Sequence, residues 1–226
     1  MLKRTGSKLA KHVFMKLMKQ AGPKVKIESK PRKLTVLEEN LAGLKEKLRS
    51  GECSNVKIGL LGQPGAWKSS LLDIICNYSC VPRPVIGHQT NATDWSLSAN
   101  DSIILNYDHV SFVDTPGYDT KAHPVRSYLN YFPFAELDKI VLLIKGKVHS
   151  SDEEVFRKIV NLTPNTAHKL IVVRSFSDNL TDLEKREIAQ DFNDKFNIDD
   201  KGIKLVFLSD KHKCGIDAIK KFIGME

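Results

Sequence analysis

GLLGQPGAWKSS, residues 59–70, decides how the rest of the chain is read. It departs by one residue from the phosphate-binding pattern G-x-x-x-x-G-K-[ST]. Gly62, Gln63, Pro64, Gly65 and Ala66 lead into Trp67 where the second glycine belongs, followed by Lys68, Ser69 and Ser70. In such a loop successive backbone N–H groups turn inward toward phosphates, and the next helix adds its positive N-terminal dipole. Lys68 is the residue to reach the β- and γ-phosphates, and the Ser69 hydroxyl the one to bind Mg2+. The apolar run from Val56 to Leu61 reads as a buried strand before the loop, and Ser69 to Ile75 as a helix after it. Trp67 conflicts with this pattern, because glycine suits the point of closest approach to phosphate by lacking a Cβ. The indole must swing away or obstruct the site. Obstruction is the expectation, and Trp67→Gly should then raise nucleotide affinity by about tenfold or more.

Outward from the loop, strands and helices alternate. Strands are expected at Val56 to Leu61, Ile103 to Tyr107, Val110 to Val113, Lys139 to Ile144, Lys169 to Val173 and Lys204 to Leu208. Helical periodicity lies between most of them, at residues 69–77, 124–132, 152–162, 181–195 and 215–223. This is an α/β chain with a doubly wound, mostly parallel six-stranded sheet and helices on both faces, preceded by N-terminal helices. The turn at Asp108-His109 makes one strand pair an antiparallel hairpin. Three segments are expected: residues 1–33 a basic amphipathic tail and linker, 34–54 a helical lead-in, and 55–226 the α/β domain. The lead-in starts on a capping box, Thr35 with Glu38, and carries Leu37, Leu41, Leu44 and Leu48 on one face.

The strand Val110 to Val113 runs into Asp114-Thr115-Pro116-Gly117. A carboxylate at Asp114 can hold Mg2+ through water, and the Gly117 N–H can sense a γ-phosphate. Lying 46 residues after Lys68 in an alternating α/β chain, the tetrad points to a GTPase. From residue 55 to 224 the chain resembles the G domain of the translation-factor-related GTPases, and within them most nearly the immunity-related (interferon-inducible) GTPases. Tyr128-Leu129 and Leu137-Asp138 look like that family's second switch and fourth strand. Val173, Arg174, Ser175, Phe176, Ser177, Asp178, Asn179 and Leu180 are similar to its base-recognition segment, and Ser209, Asp210 and Lys211 to its S-A-K loop.

The resemblance implies GTP and GDP as ligands and Mg2+ as cofactor. It implies guanine selection by Asp178, which accepts from N1 and the 2-amino group, with Arg174, Ser175 and Phe176 beside it and backbone N–H groups around Ser209, Asp210 and Lys211 near O6. At Phe176 the family has a lysine whose stem lies on the base. A Phe ring can stack there instead, or it can face the core at a strand end, and both readings stand. Switch one offers two magnesium-binding threonines, Thr90 and Thr93. Tyr118 occupies the place where Ras-like GTPases keep a water-orienting glutamine, so hydrolysis is expected to be slow or dependent on a partner, a second copy across the nucleotide face being one source. No other catalytic residue is assigned. The rival expectation is a pseudo-GTPase interaction module whose phosphate site Trp67 impairs. An ATPase or kinase is disfavoured by Asp178 and the Ser209-Asp210-Lys211 loop.

Charge is concentrated at one end. Residues 1–33 hold eleven Lys and Arg against the single Glu28, while the remainder carries 24 basic and 26 acidic residues. With Leu9, Val13 and Leu17 on one face of a helix at residues 7–19, the tail fits an anionic membrane surface. A mitochondrial presequence is the other reading of a tail with no acid before Glu28. Nucleic acid ranks below both, for want of interleaved aromatics. Cys53, Cys76, Cys80 and Cys214 show no C-x-x-C spacing and read as reduced thiols of a cytoplasmic protein, peripheral to a membrane at most.

Overall fold

The computed structural model describes residues 32–50, 53, 56–86, 94–98, 104–162, 165–209 and 211–225. The amphipathic segment at 7–19, the two switch-one threonines and Asp210 lie outside the described residues. Residues 34–226 form one compact unit.

The unit is built on six strands: β1 (Val56–Gly62), β2 (Ile104–Tyr107), β3 (Val110–Asp114), β4 (Lys139–Lys145), β5 (Leu170–Ser175) and β6 (Lys204–Phe207). Their order in the sheet is β2-β3-β1-β4-β5-β6. Only β2 runs antiparallel, paired to β3 through the turn at Asp108, whose φ of 52° is left-handed. The helices are α1 (Val36–Arg49), α2 (Lys68–Ile75), α3 (Val125–Tyr131), α4 (Ser150–Leu162), α5 (Thr166–Lys169), α6 (Asp182–Phe196) and α7 (Ile216–Ile223). Short α5 and a 3-10 turn at Phe134–Glu136 were not expected; neither is long enough to show a period in sequence.

Side chains alternate across the parallel strands, which fills both faces. On β4, Ile140, Leu142 and Ile144 join one apolar cluster while Val141 and Leu143 join the other. The first cluster is closed by α1, α3, α4 and α6, the second by α2 and α7. Helix α1 begins on the expected capping box, Thr35 Oγ1 accepting from the Glu38 N–H and Glu38 Oε2 from the Thr35 N–H. Its four leucines are fully or almost fully buried in the first cluster, beside α3 and the 3-10 turn. The lead-in therefore shares its core with the sheet.

The four cysteines do not all behave as separate thiols. Asn77 and Tyr78 take left-handed backbone after α2, turning the chain back so that Cys76 and Cys80 meet as a disulfide pair, with Cα atoms 5.7 Å apart. Cys53 and Cys214 are free. No described helix is long and apolar enough to cross a membrane.

The strand order reverses direction of growth at β1: β3 lies on one side and β4 on the other. A crevice opens at such a switch point, beyond the carboxyl ends of the strands, and residues 62–68 fill the connection there.

Candidate functional site

The loop between β1 and α2 takes the path its glycines allow. A Cβ on Gly62 would collide with the Leu143 carbonyl oxygen, and Gly65 sits at φ 71°. Lys68, 7% exposed, curls back over the loop, its Nζ donating to the carbonyls of Gly62 at 3.0 Å and Gln63 at 3.2 Å. Burial lowers its pKa to about 8, against the opposing pull of the Asp114 charge. Anionic phosphates in the cradle would hold the ammonium charged. Ala66 is buried in the second cluster, and Ser70 lies in the first turn of α2, whose N-terminus no side chain caps.

Trp67 does carry the loop. Its backbone is left-handed, φ 78° and ψ 25°, as a glycine's would be, and the half-buried indole packs against the second cluster. The cluster of α2 and α7 offers the ring an apolar seat, which weighs against the expected obstruction. The left-handed conformation costs a residue with a Cβ roughly 1–2 kcal/mol. Comparing Trp67→Gly with Trp67→Ala isolates that cost, since both lose the indole. The glycine variant should be the more stable by about 1 kcal/mol despite its looser unfolded chain, a difference of roughly 2–4 °C in melting temperature. Equal or reversed stabilities would show that the backbone here is unstrained.

Across the crevice, the tetrad after β3 meets the loop. A Cβ on Gly117 would run into Pro64, so the two segments touch backbone to backbone. Ser69 Oγ donates to Asp114 Oδ2 at 2.6 Å, while the buried Asp114 Oδ1 has no hydrogen-bond partner among the described residues. Burial raises the Asp114 pKa, and the Ser69 hydrogen bond and the Lys68 charge pull it back. Hard oxygens facing one another, one of them unbonded, suit Mg2+. Ser69 would ligate it directly and Asp114 through water; bound there, the ion neutralises phosphate charge.

Beyond the carboxyl end of β5, Asp178 Oδ1 accepts from Ser209 Oγ at 2.6 Å and from the Lys211 N–H at 2.9 Å. The Ser209 bond is the main reason its pKa falls below the usual carboxylate range. Lys211 thus acts through its backbone. Ser175 is fully buried, its Oγ donating to the Ile144 carbonyl at 3.4 Å. The nearly buried Arg174 turns Nη1 onto the Ser175 carbonyl. Both side chains serve the strand end. Phe176 is left-handed at φ 57° and 49% exposed, which overturns the reading that it faces the core.

Tyr118 is fully buried, its ring edge-on to Tyr128 at 6.0 Å and its hydroxyl donating to Asp152 Oδ1 at 2.7 Å. Burial first, then the Asp152 charge, keeps that hydroxyl protonated. Asp152, 1% exposed near the start of α4, also accepts from Gln63 Nε2 at 3.2 Å and from the His149 N–H at 2.9 Å. Sequence reading missed this carboxylate, which joins the loop to the segment after Gly117. It also missed Asn40 of α1, whose Nδ2 donates to the carbonyls of Trp95 at 2.7 Å and Ser98 at 2.8 Å. The Trp95 N–H in turn donates to His123 Nε2 at 3.2 Å; burial lowers the pKa of this ring against the opposing pull of Asp94, whose Oδ1 is 3.0 Å from the same nitrogen. The available signal was an asparagine in the leucine face of a helix.

Residues 57–175, just over half of the chain, match the family model described as 50S ribosome-binding GTPase. The chain belongs to this GTPase family. It is 26% identical over 197 residues to GTPase Der of Thermosipho africanus (strain TCF52B), covering 81% of this chain and 42% of that protein. It is also 26% identical over 151 residues to tRNA modification GTPase MnmE of Campylobacter curvus (strain 525.92), covering 64% of this chain and 33% of that protein. The chain thus spans well under half the length of these curated relatives. In fold it is similar to the crystal structure of a probable GTP-binding protein engB, with a TM-score of 0.53 at 15% identity, over 75% of this chain and 97% of that one. It is likewise similar to Toc33 from Arabidopsis thaliana in complex with GDP and Mg2+, with a TM-score of 0.50 at 13% identity, over 83% and 90% of the two chains. These matches carry the broader resemblance, to G domains of the translation-factor-related kind, and do not reach the immunity-related group.

Proposed function

We propose that the G domain is a guanine-nucleotide switch that hydrolyses GTP slowly by itself and depends on a partner for faster turnover. The observation that carries this reading is the anchored Asp178 carboxylate, held by Ser209 and the Lys211 N–H at the end of β5. It lies at the same carboxyl edge of the sheet as a phosphate loop complete in Lys68, Ser69 and Asp114. Slow turnover is supported by Tyr118, whose hydroxyl is engaged by Asp152, so position 118 presents no side chain for orienting a water. A second copy of the chain meeting across the nucleotide face remains our proposed source of the missing group. The pseudo-GTPase alternative loses its motive with the indole of Trp67 seated on the apolar cluster.

Calorimetric titration of the full chain with GDP, GTP and ATP in Mg2+ tests the reading. GDP and GTP should bind, and ATP at least about 100-fold more weakly, because adenine leaves the Asp178 carboxylate without donors. Single-turnover hydrolysis should run on the order of 10⁻³ per second or slower at high dilution. No binding, or ATP binding equal to GTP, would refute the assignment.

A further inference from the structure

Lys145 ends β4 directly opposite Ser175 in the parallel register, which brings it beside Phe176, the next residue on β5's exit. Its ammonium lies 5.3 Å from the centre of the Phe176 ring. The same Nζ is 3.6 Å from the point where a Cβ on Gly65 would stand, which places it close to the phosphate loop. Lys145 is exposed, and among the described residues it forms no ion pair with a carboxylate. Phe176 is a large apolar ring held in left-handed backbone and left half open to solvent. Backbone strain and exposure at one aromatic are together the mark of a site and not of packing. An exposed ammonium over a ring gains little in water by itself. Its position gains meaning from what would lie between ring and loop.

We propose that Lys145 and Phe176 together replace the single lysine that the family resemblance leads one to expect at position 176. The ring carries the face of the base, and the ammonium arrives from the neighbouring strand to lie against the ribose and phosphates of a nucleoside diphosphate. Ribose joins base to phosphates, and the ammonium is 5.3 Å from the ring centre and 3.6 Å from where a Gly65 Cβ would stand, so one nucleotide can meet both groups. This inference rests on the guanine-nucleotide reading above. Gly65 is part of the arrangement, since a side chain at that left-handed position would enter the space beside Nζ.

Titration of the full chain with GDP, with melting curves as a folding control, tests the division of roles. Lys145→Met keeps the stem without the charge and should weaken GDP about tenfold, while Lys145→Arg should stay within about threefold of wild type. Phe176→Lys alone brings two ammonium groups together and should not improve binding. In the Lys145→Met background the same substitution should restore affinity to within about threefold of wild type, because one lysine then supplies both stem and charge. Wild-type binding left unchanged by Lys145→Met, or a double variant no better than Lys145→Met alone, would overturn the inference and leave the switch reading intact. A wild-type chain that fails to bind GDP would overturn both.

Discussion

Asp178→Asn should lower GDP affinity by about 100-fold or more and turn the preference toward xanthosine diphosphate. Guanine offers two donors, N1–H and the 2-amino group, to a carboxylate, and each hydrogen bond to a charged acceptor is worth roughly 1.5–3 kcal/mol. The asparagine keeps one oxygen to accept from Ser209 Oγ and the Lys211 N–H, which the structure shows meeting Oδ1 at 2.6 and 2.9 Å. Its amide nitrogen then faces guanine donors with donors of its own. Xanthine has a carbonyl where guanine has the amino group, so the same nitrogen gains a partner there. Because the exchange keeps volume and the existing anchors, melting temperature should change little, which separates lost recognition from lost fold. Equal weakening of both diphosphates would mean that Asp178 shapes the loop and does not read the base.

Leu44→Ala should cost about 3 kcal/mol and lower the melting temperature by roughly 6–12 °C. Leu44 is fully buried in the first cluster, on the helix that packs against α3 and the 3-10 turn. Losing its methyl groups leaves a cavity between a helix and a sheet, neither of which can collapse far. The exposed neighbour Lys45 provides the control, its replacement by Ala staying within about 0.5 kcal/mol. If Leu44→Ala melted with the wild type, α1 would be an accessory laid on a self-sufficient domain. A second consequence follows from Asn40, which sits on the same helix and donates to the Trp95 and Ser98 carbonyls. Loosening α1 loosens that tie to residues 94–98, so the destabilised variant should also show faster amide exchange there.

The strand positions were legible because each strand writes a short apolar run, most of them beside a Gly or Asp, and the expected bounds fall within two residues of the observed ones. Alternation with helices plus one hairpin turn made the mostly parallel sheet legible, whereas the order β2-β3-β1-β4-β5-β6 is set by which strands dock beside β1. The loop and the tetrad at 114–117 were legible for another reason, since each is a local backbone shape that few residue types can adopt. Phe176 was ambiguous because it stands one residue beyond β5, where strand alternation stops and a left-handed residue turns the side chain elsewhere.

By itself the sequence determined the alternating α/β fold and the phosphate-loop pattern, and it singled out Ser69, Asp114 and Asp178 as candidate site residues, all carried by neighbours in the chain or by a recurring short motif. Tertiary structure alone decided that Trp67 rests its half-buried indole against an apolar cluster, that Asp152 joins Gln63 to Tyr118 across 89 and 34 residues, and that Asn40 reaches Trp95 across 55. It also decided that the Lys145 ammonium comes near both Phe176 and Gly65. The physical reason is that periodicity and turn chemistry are properties of consecutive residues, whereas these contacts depend on strand register and helix docking. Only once the sheet is assembled are the distances between its carboxyl ends, and so the partners of each side chain there, defined.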